Sequence, residues 1–181
     1  MSNKPNKIND KTVYFSKTKL NAIIPTKIQE NAGYDIYACL GADLDYVVTE
    51  PHKTVLIPTG IASAFSDDYV FVLKERGSTG TKGIGQRAGI IDSGFRNEWF
   101  VPITNHNNIP LIISKFSEPH TKLAVETYCG ISNYIYYPTS KAVCQALLLP
   151  VPKVTVLEIP YSELAYIESE RGTGMLGSSG K

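Results

Sequence analysis

The chain has 181 residues, of which 43% are hydrophobic and 19% charged, so it can build a core and is not a wholly disordered polymer. Lys plus Arg (18) nearly balances Asp plus Glu (17), and the net charge of +1 gives no global attraction to nucleic acid or to an anionic membrane. No apolar run reaches the ~18 residues that a membrane span requires, so neither direct nucleic-acid contact nor a membrane is expected.

Three Cys (Cys39, Cys129, Cys144) are an odd number without CxxC spacing, which reads as reduced thiols in a cytoplasmic protein. Three scattered His do not suggest a zinc site. The first residues, MSNKPNKINDK, are polar and lack the apolar stretch of a signal peptide. Residues 1–11 read as a flexible arm. Segments rich in Val, Ile, Tyr, Phe and Thr follow at 12–18, 46–65, 69–75, 98–105, 110–116 and 144–159. Eleven Pro and 14 Gly interrupt them too often for long helices. Two short helical stretches are expected, near 78–82 and 162–167. The pattern predicts an all-β fold, a barrel or a jelly-roll-like sandwich.

Five segments are too polar or too glycine-rich for plain strands. NAGYDIYA (31–38) places Asp35 among apolar residues, as a buried or interface acid or as a surface acid at a strand start. In ERGSTGTKGI (75–84) a strand runs into Arg76, Gly77, Ser78, Thr79 and Gly80. Small residues let backbone amides approach an anion, hydroxyls donate, and Arg adds charge, so phosphate binding competes with a tight turn before a helix. The spacing is not that of a nucleotide P-loop. AGIIDSGFRNEW (88–99) reads as a β-hairpin with Asp92 at its bend, either a turn residue or a general base beside a hairpin that holds a ring. Gln145 is a single amide in the apolar strand KAVCQALLLPV (141–151), and needs partners if buried. RGTGMLGSSGK (171–181) has little to bury and reads as mobile, yet it combines Arg171 with many backbone N–H groups.

In this order the five segments resemble the five motifs of the homotrimeric dUTPases (deoxyuridine triphosphate nucleotidohydrolases), possibly of phage or prophage type, over residues 12–181. The resemblance implies a distorted jelly-roll-like β-barrel over 12–169, a homotrimer with a C-terminal arm, and a mobile lid at 170–181. It implies hydrolysis of dUTP to dUMP and pyrophosphate with Mg²⁺. Asp92 would activate the attacking water, and Gly89, Ile90, Ile91 and Phe95 would belong to the hairpin that reads uracil and packs the sugar. Arg76, Gly77 and Ser78 would hold phosphates, Gln145 would sit near the α-phosphate, and Asp35 would hold Mg²⁺ through water. Arg171, Leu176, Gly177, Ser178 and Ser179 would close over the ligand. Each site would draw on three subunits.

Several positions depart from the family pattern. Gly77 separates Arg76 from Ser78, Gly94 stands where an acid is usual, Leu176 replaces the aromatic of the lid, and Ser140-Lys141-Ala142 replaces the Gly-Asp-Arg before the motif-four Gln. The stretch between motifs three and four is also long. Its excess, within 115–138, carries Tyr128, Tyr134, Tyr136 and Tyr137. It reads as a surface hairpin packed on its own barrel, or as an element that binds a regulatory protein partner. A dUTPase-like regulator is thus the alternative function. The related dCTP deaminases carry a catalytic Glu ten residues beyond the motif-three Asp; here that position is Pro102.

Overall fold

Twelve short strands carry the fold in the computed structural model, which describes residue 8 and residues 11–174. They are β1 (Tyr14–Lys17), β2 (Gly33–Tyr37), β3 (Tyr46–Thr49), β4 (Thr54–Pro58), β5 (Ile61–Ala64), β6 (Tyr69–Lys74), β7 (Ile84–Gln86), β8 (Ile90–Ile91), β9 (Phe100–Asn105), β10 (Leu111–Ser114), β11 (Ile135–Pro138) and β12 (Ala142–Pro150). Three helices, α1 (Gly77–Gly80), α2 (Glu118–Cys129) and α3 (Tyr161–Tyr166), complete the described elements. The chain divides between Val151 and Pro152 into two compact units.

In the first unit the strands form four small sheets, ordered β1-β5, β11-β10-β3, β2-β12-β6-β8 and β4-β9-β7. All pairings are antiparallel except β10 with β11. Alternation is clear in β9, where Val101 and Ile103 are fully buried and Phe100 faces outward. Phe71 sits at the centre of the core. Phe15, Tyr34, Phe65 and Trp99 surround it at centroid distances of 5.8, 5.9, 5.1 and 5.2 Å, in tilted or edge-on arrangements.

The structure corrects three expectations. The segment 144–159 is a strand only to Pro150. Pro150 and Pro152 lack the N–H that a ladder needs, and residues 152–159 are exposed. The predicted hairpin at 88–99 is not a pair of arms: β8 pairs with β6, and the chain then turns at Asp92, whose carbonyl accepts from Phe95 N–H at 3.0 Å. The insert is not a surface hairpin but a helix followed by a strand. α2 begins after Ser117 with Pro119 in its first turn and ends on Gly130, whose φ of 67° is the left-handed cap that glycine adopts without strain. Thr121 and Val125, one turn apart, are its buried residues. Thr121 Oγ1 donates to Ser114 Oγ at 2.8 Å, and Tyr136 Oη donates to the Phe116 carbonyl at 2.6 Å. Tyr46 Oη lies 3.3 Å from Cys129 Sγ. That hydrogen bond and the partial burial behind it push the Tyr46 phenol up to about 12. Tyr137, grouped with the recognition tyrosines of the insert by sequence, is instead a buried core residue of β11.

In the second unit, α3 follows Pro160 and runs into Ile167. Among the described residues no helix is long and apolar enough to cross a membrane.

Candidate active site

β12 is the central strand of the site. It lies between β2 and β6, and its Gln145 is opposite Asp35 on one side and Lys74 on the other. Gln145 is therefore an interior position of a sheet rather than an edge. Its amide has a partner: Nε2 donates to the Glu75 carbonyl at 2.8 Å. One amide hydrogen and the carbonyl oxygen remain for a ligand. The side chain lies over Gly33, where an added Cβ would come within 2.5 Å of Gln145 Oε1.

β6 ends at Lys74, and the chain passes through Glu75 to Arg76, which caps α1 in extended conformation. Thr79 pins that backbone from both ends, accepting from Arg76 N–H at 3.1 Å and donating to the Arg76 carbonyl at 3.0 Å. The guanidinium crosses to Asp35 on β2, with Nε 3.0 Å from Oδ1 and Nη2 3.4 Å from Oδ2. This is the two-point geometry that suits Arg with a carboxylate, on side chains about one-third exposed (32% and 35%). Glu75 braces the loop: its carboxylate accepts from Gln86 N–H at 3.1 Å. Its carboxyl is held below the usual range, first by a hydrogen bond from its own backbone, then by Gln86 N–H and the charge of Lys74, against the opposing effect of burial.

Glu30, Asn31, Ala32, Gly33, Asp35, Arg76, Gly77, Ser78 and Gln145 enclose a pocket of about 540 Å³. One face is anion-binding in character, with Arg76 and the small residues Gly77 and Ser78. The lining also carries the carboxylates of Asp35, paired with Arg76, and Glu30, oxygen donors suited to a hard divalent cation that keeps its waters. Among the described residues no group of three or more His, Cys, Asp or Glu gathers to form a metal cage. A cation here would need ligands from water or from a bound anion, as a phosphate-bound ion has.

Asp35, Arg76, Gly77, Ser78 and Gln145 thus meet in one place. Gly89, Ile90, Ile91, Asp92 and Phe95 do not line this pocket. Gly89 is buried with φ of 107°, and its carbonyl accepts from Leu73 N–H at 2.8 Å. An added Cβ there would lie 2.8 Å from Leu73 Cβ, so glycine is required. Beyond it Ile91 is buried in the core cluster, while Ile90 (62% exposed), Asp92 and Phe95 (41%) face solvent. Arg171 is exposed in the second unit, and Leu176, Gly177, Ser178 and Ser179 lie outside the described residues. Gly33 and Glu75 are site-building residues that sequence reasoning passed over, and Thr79, named there only within its segment, proves to brace the Arg76 backbone. Only the glycine in AGYD carried a signal.

The dUTPase family model matches residues 20–118. A deoxyuridine 5′-triphosphate nucleotidohydrolase of Leptospira interrogans is 34% identical over 105 residues, 56% of this chain and 70% of the relative. The chain belongs to the dUTPase family. Its fold agrees. A dUTPase of Staphylococcus bacteriophage 80alpha, a mutant solved with dUpNHpp, superposes with a TM-score of 0.67 at 22% identity, covering 94% of this chain and 99% of that one. A mutant dUTPase from phage phi11 of S. aureus, described with a structural Mg(II) ion, gives 0.62 at 19% identity over 82% and 96%. The all-β, jelly-roll-like architecture expected from the sequence is the dUTPase fold.

Proposed function

We propose that this chain hydrolyses dUTP to dUMP and pyrophosphate, keeping uracil out of DNA, in sites assembled between the chains of a homotrimer. The observation that carries the reading is the convergence of Asp35, Arg76, Ser78 and Gln145 on one pocket in a chain of the dUTPase family. Arg76 and Ser78 hold the phosphate chain. Gln145, oriented by the Glu75 carbonyl, turns its second amide hydrogen toward the α-phosphate. Asp35 holds Mg²⁺ through water; when bound, the ion offsets the negative charge of the phosphates.

Asp92 reaches this pocket from a neighbouring chain. Its exposure at the tip of an outward turn, away from the pocket of its own chain, supports that arrangement. Its carboxylate takes a proton from water as the water oxygen bonds to the α-phosphorus, the bond to the β-phosphate oxygen breaks, and pyrophosphate leaves with the electron pair. Such a reaction needs positioning and charge stabilisation more than a covalent nucleophile. The backbone of residues 89–95 reads the uracil edge, and the Phe95 ring packs against the deoxyribose. Arg171, Leu176, Gly177, Ser178 and Ser179 close over base and phosphates from the third chain. A cytoplasmic location goes with this substrate.

Purified protein with Mg²⁺ releases pyrophosphate from dUTP in preference to dCTP, dTTP and UTP, and Asp92→Asn removes the activity by at least roughly 100-fold. Equal turnover of dCTP, or an active Asp92→Asn protein, contradicts the reading.

A second reading has its own observation. The outer side of α2 leaves Leu123 (67% exposed) and Tyr128 (82%) in the open, beside a groove of about 580 Å³ that Phe116, His120, Ala124 and Thr127 also line. An exposed apolar groove of this kind suits a regulatory protein partner, whose binding need not exclude catalysis.

A further inference from the structure

Gln86 closes β7 opposite Ile103 and is buried, at 9% exposed. A buried carboxamide needs partners. Its Nε2 donates to the Arg87 carbonyl and lies against Gly89, where an added Cβ would come within 2.7 Å of that nitrogen. Its backbone N–H is held by the Glu75 carboxylate at 3.1 Å. The backbone that follows is strained. Ala88 has φ of 54°, in the left-handed region that a residue with a Cβ occupies at a cost, and Gly89 follows at 107°. Such a backbone persists only where its surroundings hold it. β9 holds one end: Arg87 N–H donates to the Pro102 carbonyl at 3.0 Å, and Arg87 Nε to Thr104 Oγ1 at 3.1 Å. β6 holds the other, with Leu73 N–H on the Gly89 carbonyl at 2.8 Å. The Gln86 carboxamide fastens the bend between these two anchors.

We infer that Gln86 is a positioning residue for base specificity: its carboxamide holds the strained bend at 87–89, and the bend aims the backbone of 89–95 at the uracil edge. The inference rests on the base-reading role proposed above for that segment. Backbone readout has no side chain that could swing to correct an error. The N–H and C=O groups must stand at hydrogen-bond distance from a rigid ring, so a shift of about 1 Å where the chain leaves the bend loses the match. The phosphate pocket is held separately. Gln145 donates to the Glu75 carbonyl, and Glu75 accepts from the Gln86 backbone, not from its side chain. Gln86→Met keeps the length of the side chain and the backbone N–H and removes only the carboxamide, so it separates the two halves of the site.

The test compares the wild type, Gln86→Met, Ala88→Gly and the double variant, with Mg²⁺ present. It measures binding of deoxyuridine, deoxycytidine and inorganic pyrophosphate, and the preference for dUTP over dCTP in turnover. Gln86→Met is expected to weaken deoxyuridine about tenfold or more, to narrow the preference for dUTP, and to leave pyrophosphate unchanged. Glycine at position 88 adopts the left-handed conformation without strain, so the double variant is expected to regain most of the lost affinity. Unchanged deoxyuridine affinity in Gln86→Met, an equal loss for deoxyuridine and pyrophosphate, or no recovery in the double variant would overturn the inference while leaving the hydrolase reading intact. A wild type that binds deoxyuridine no better than deoxycytidine would overturn the base-reading role of 89–95 and this inference with it. If Gln86→Met does not fold, hydrogen exchange of the wild-type Gln86 carboxamide decides: slow exchange that slows further with deoxyuridine supports the inference, and exchange at the rate of a free amide overturns it.

Discussion

An added Cβ at Gly33 would sit 2.5 Å from Gln145 Oε1 and 3.1 Å from Gln145 Cβ. The second distance matters because Cβ is fixed by the backbone of β12 and cannot swing aside. Gly33→Ala should therefore displace the amide from the Glu75 carbonyl without unfolding the sheet. Turnover is expected to fall roughly 100-fold with little change in melting temperature, and unchanged turnover would show that Gln145 has room to adapt. Glu98 illustrates a residue with a structural task. Its carboxylate pairs with Lys19 Nζ at 2.9 Å and accepts from Gly60 N–H at 2.9 Å. Burial works to raise its pKa, but the Lys19 ammonium and the Gly60 N–H outweigh it, and the net shift is downward. A lowered folded-state value means the unfolded chain binds the proton more readily. The contribution to stability is thus present above the unfolded-state pKa of about 4.3 and is lost as pH falls through the lower folded-state value. Glu75 adds a shift of the same sign. Melting temperature should drop below about pH 4.5, and Glu98→Gln should flatten that drop while lowering stability at neutral pH; an unaltered acid slope would contradict the assignment.

Strands were the legible elements, because β-branched and aromatic runs such as YVFV and EWFVPITN alternate against the core. Helix α2 was not legible. Its sequence, EPHTKLAVETYC, buries only Thr121 and Val125, so no apolar stripe announces it, and its end is set by the single glycine Gly130. Arg76, Ser78, Asp35 and Gln145 could be picked out as polar or small residues interrupting strand patterns. Glu75 could not. Its role depends on contacts with residues far away in sequence, such as its carbonyl with Gln145 across 70 positions, which no local pattern encodes. The outer face of α2 also makes a prediction at this scale. Leu123→Asp combined with Tyr128→Ala should leave dUTP turnover and melting temperature unaltered, since surface changes cost within about 0.5 kcal/mol. A clear loss of either would make this face structural and remove the partner-binding reading.

One chain gathers Asp35, Arg76, Ser78 and Gln145 around one pocket and leaves Asp92 and Phe95 facing solvent, so the proposed site needs a neighbouring chain to complete it. The fold makes this division because β12, β2 and β6 carry the pocket at one end of their sheet, while β8 pairs along β6 at Phe71 and Val72, short of the pocket residues at its end. The most direct test mixes two inactive proteins, Asp92→Asn and Arg76→Ala, after unfolding and refolding them together in equal amounts. In a ring whose sites each take the pocket from one chain and the turn from its neighbour, a quarter of the sites recover both intact parts, and roughly a quarter of wild-type turnover should return. Well-mixed oligomers that stay inactive would contradict the shared site.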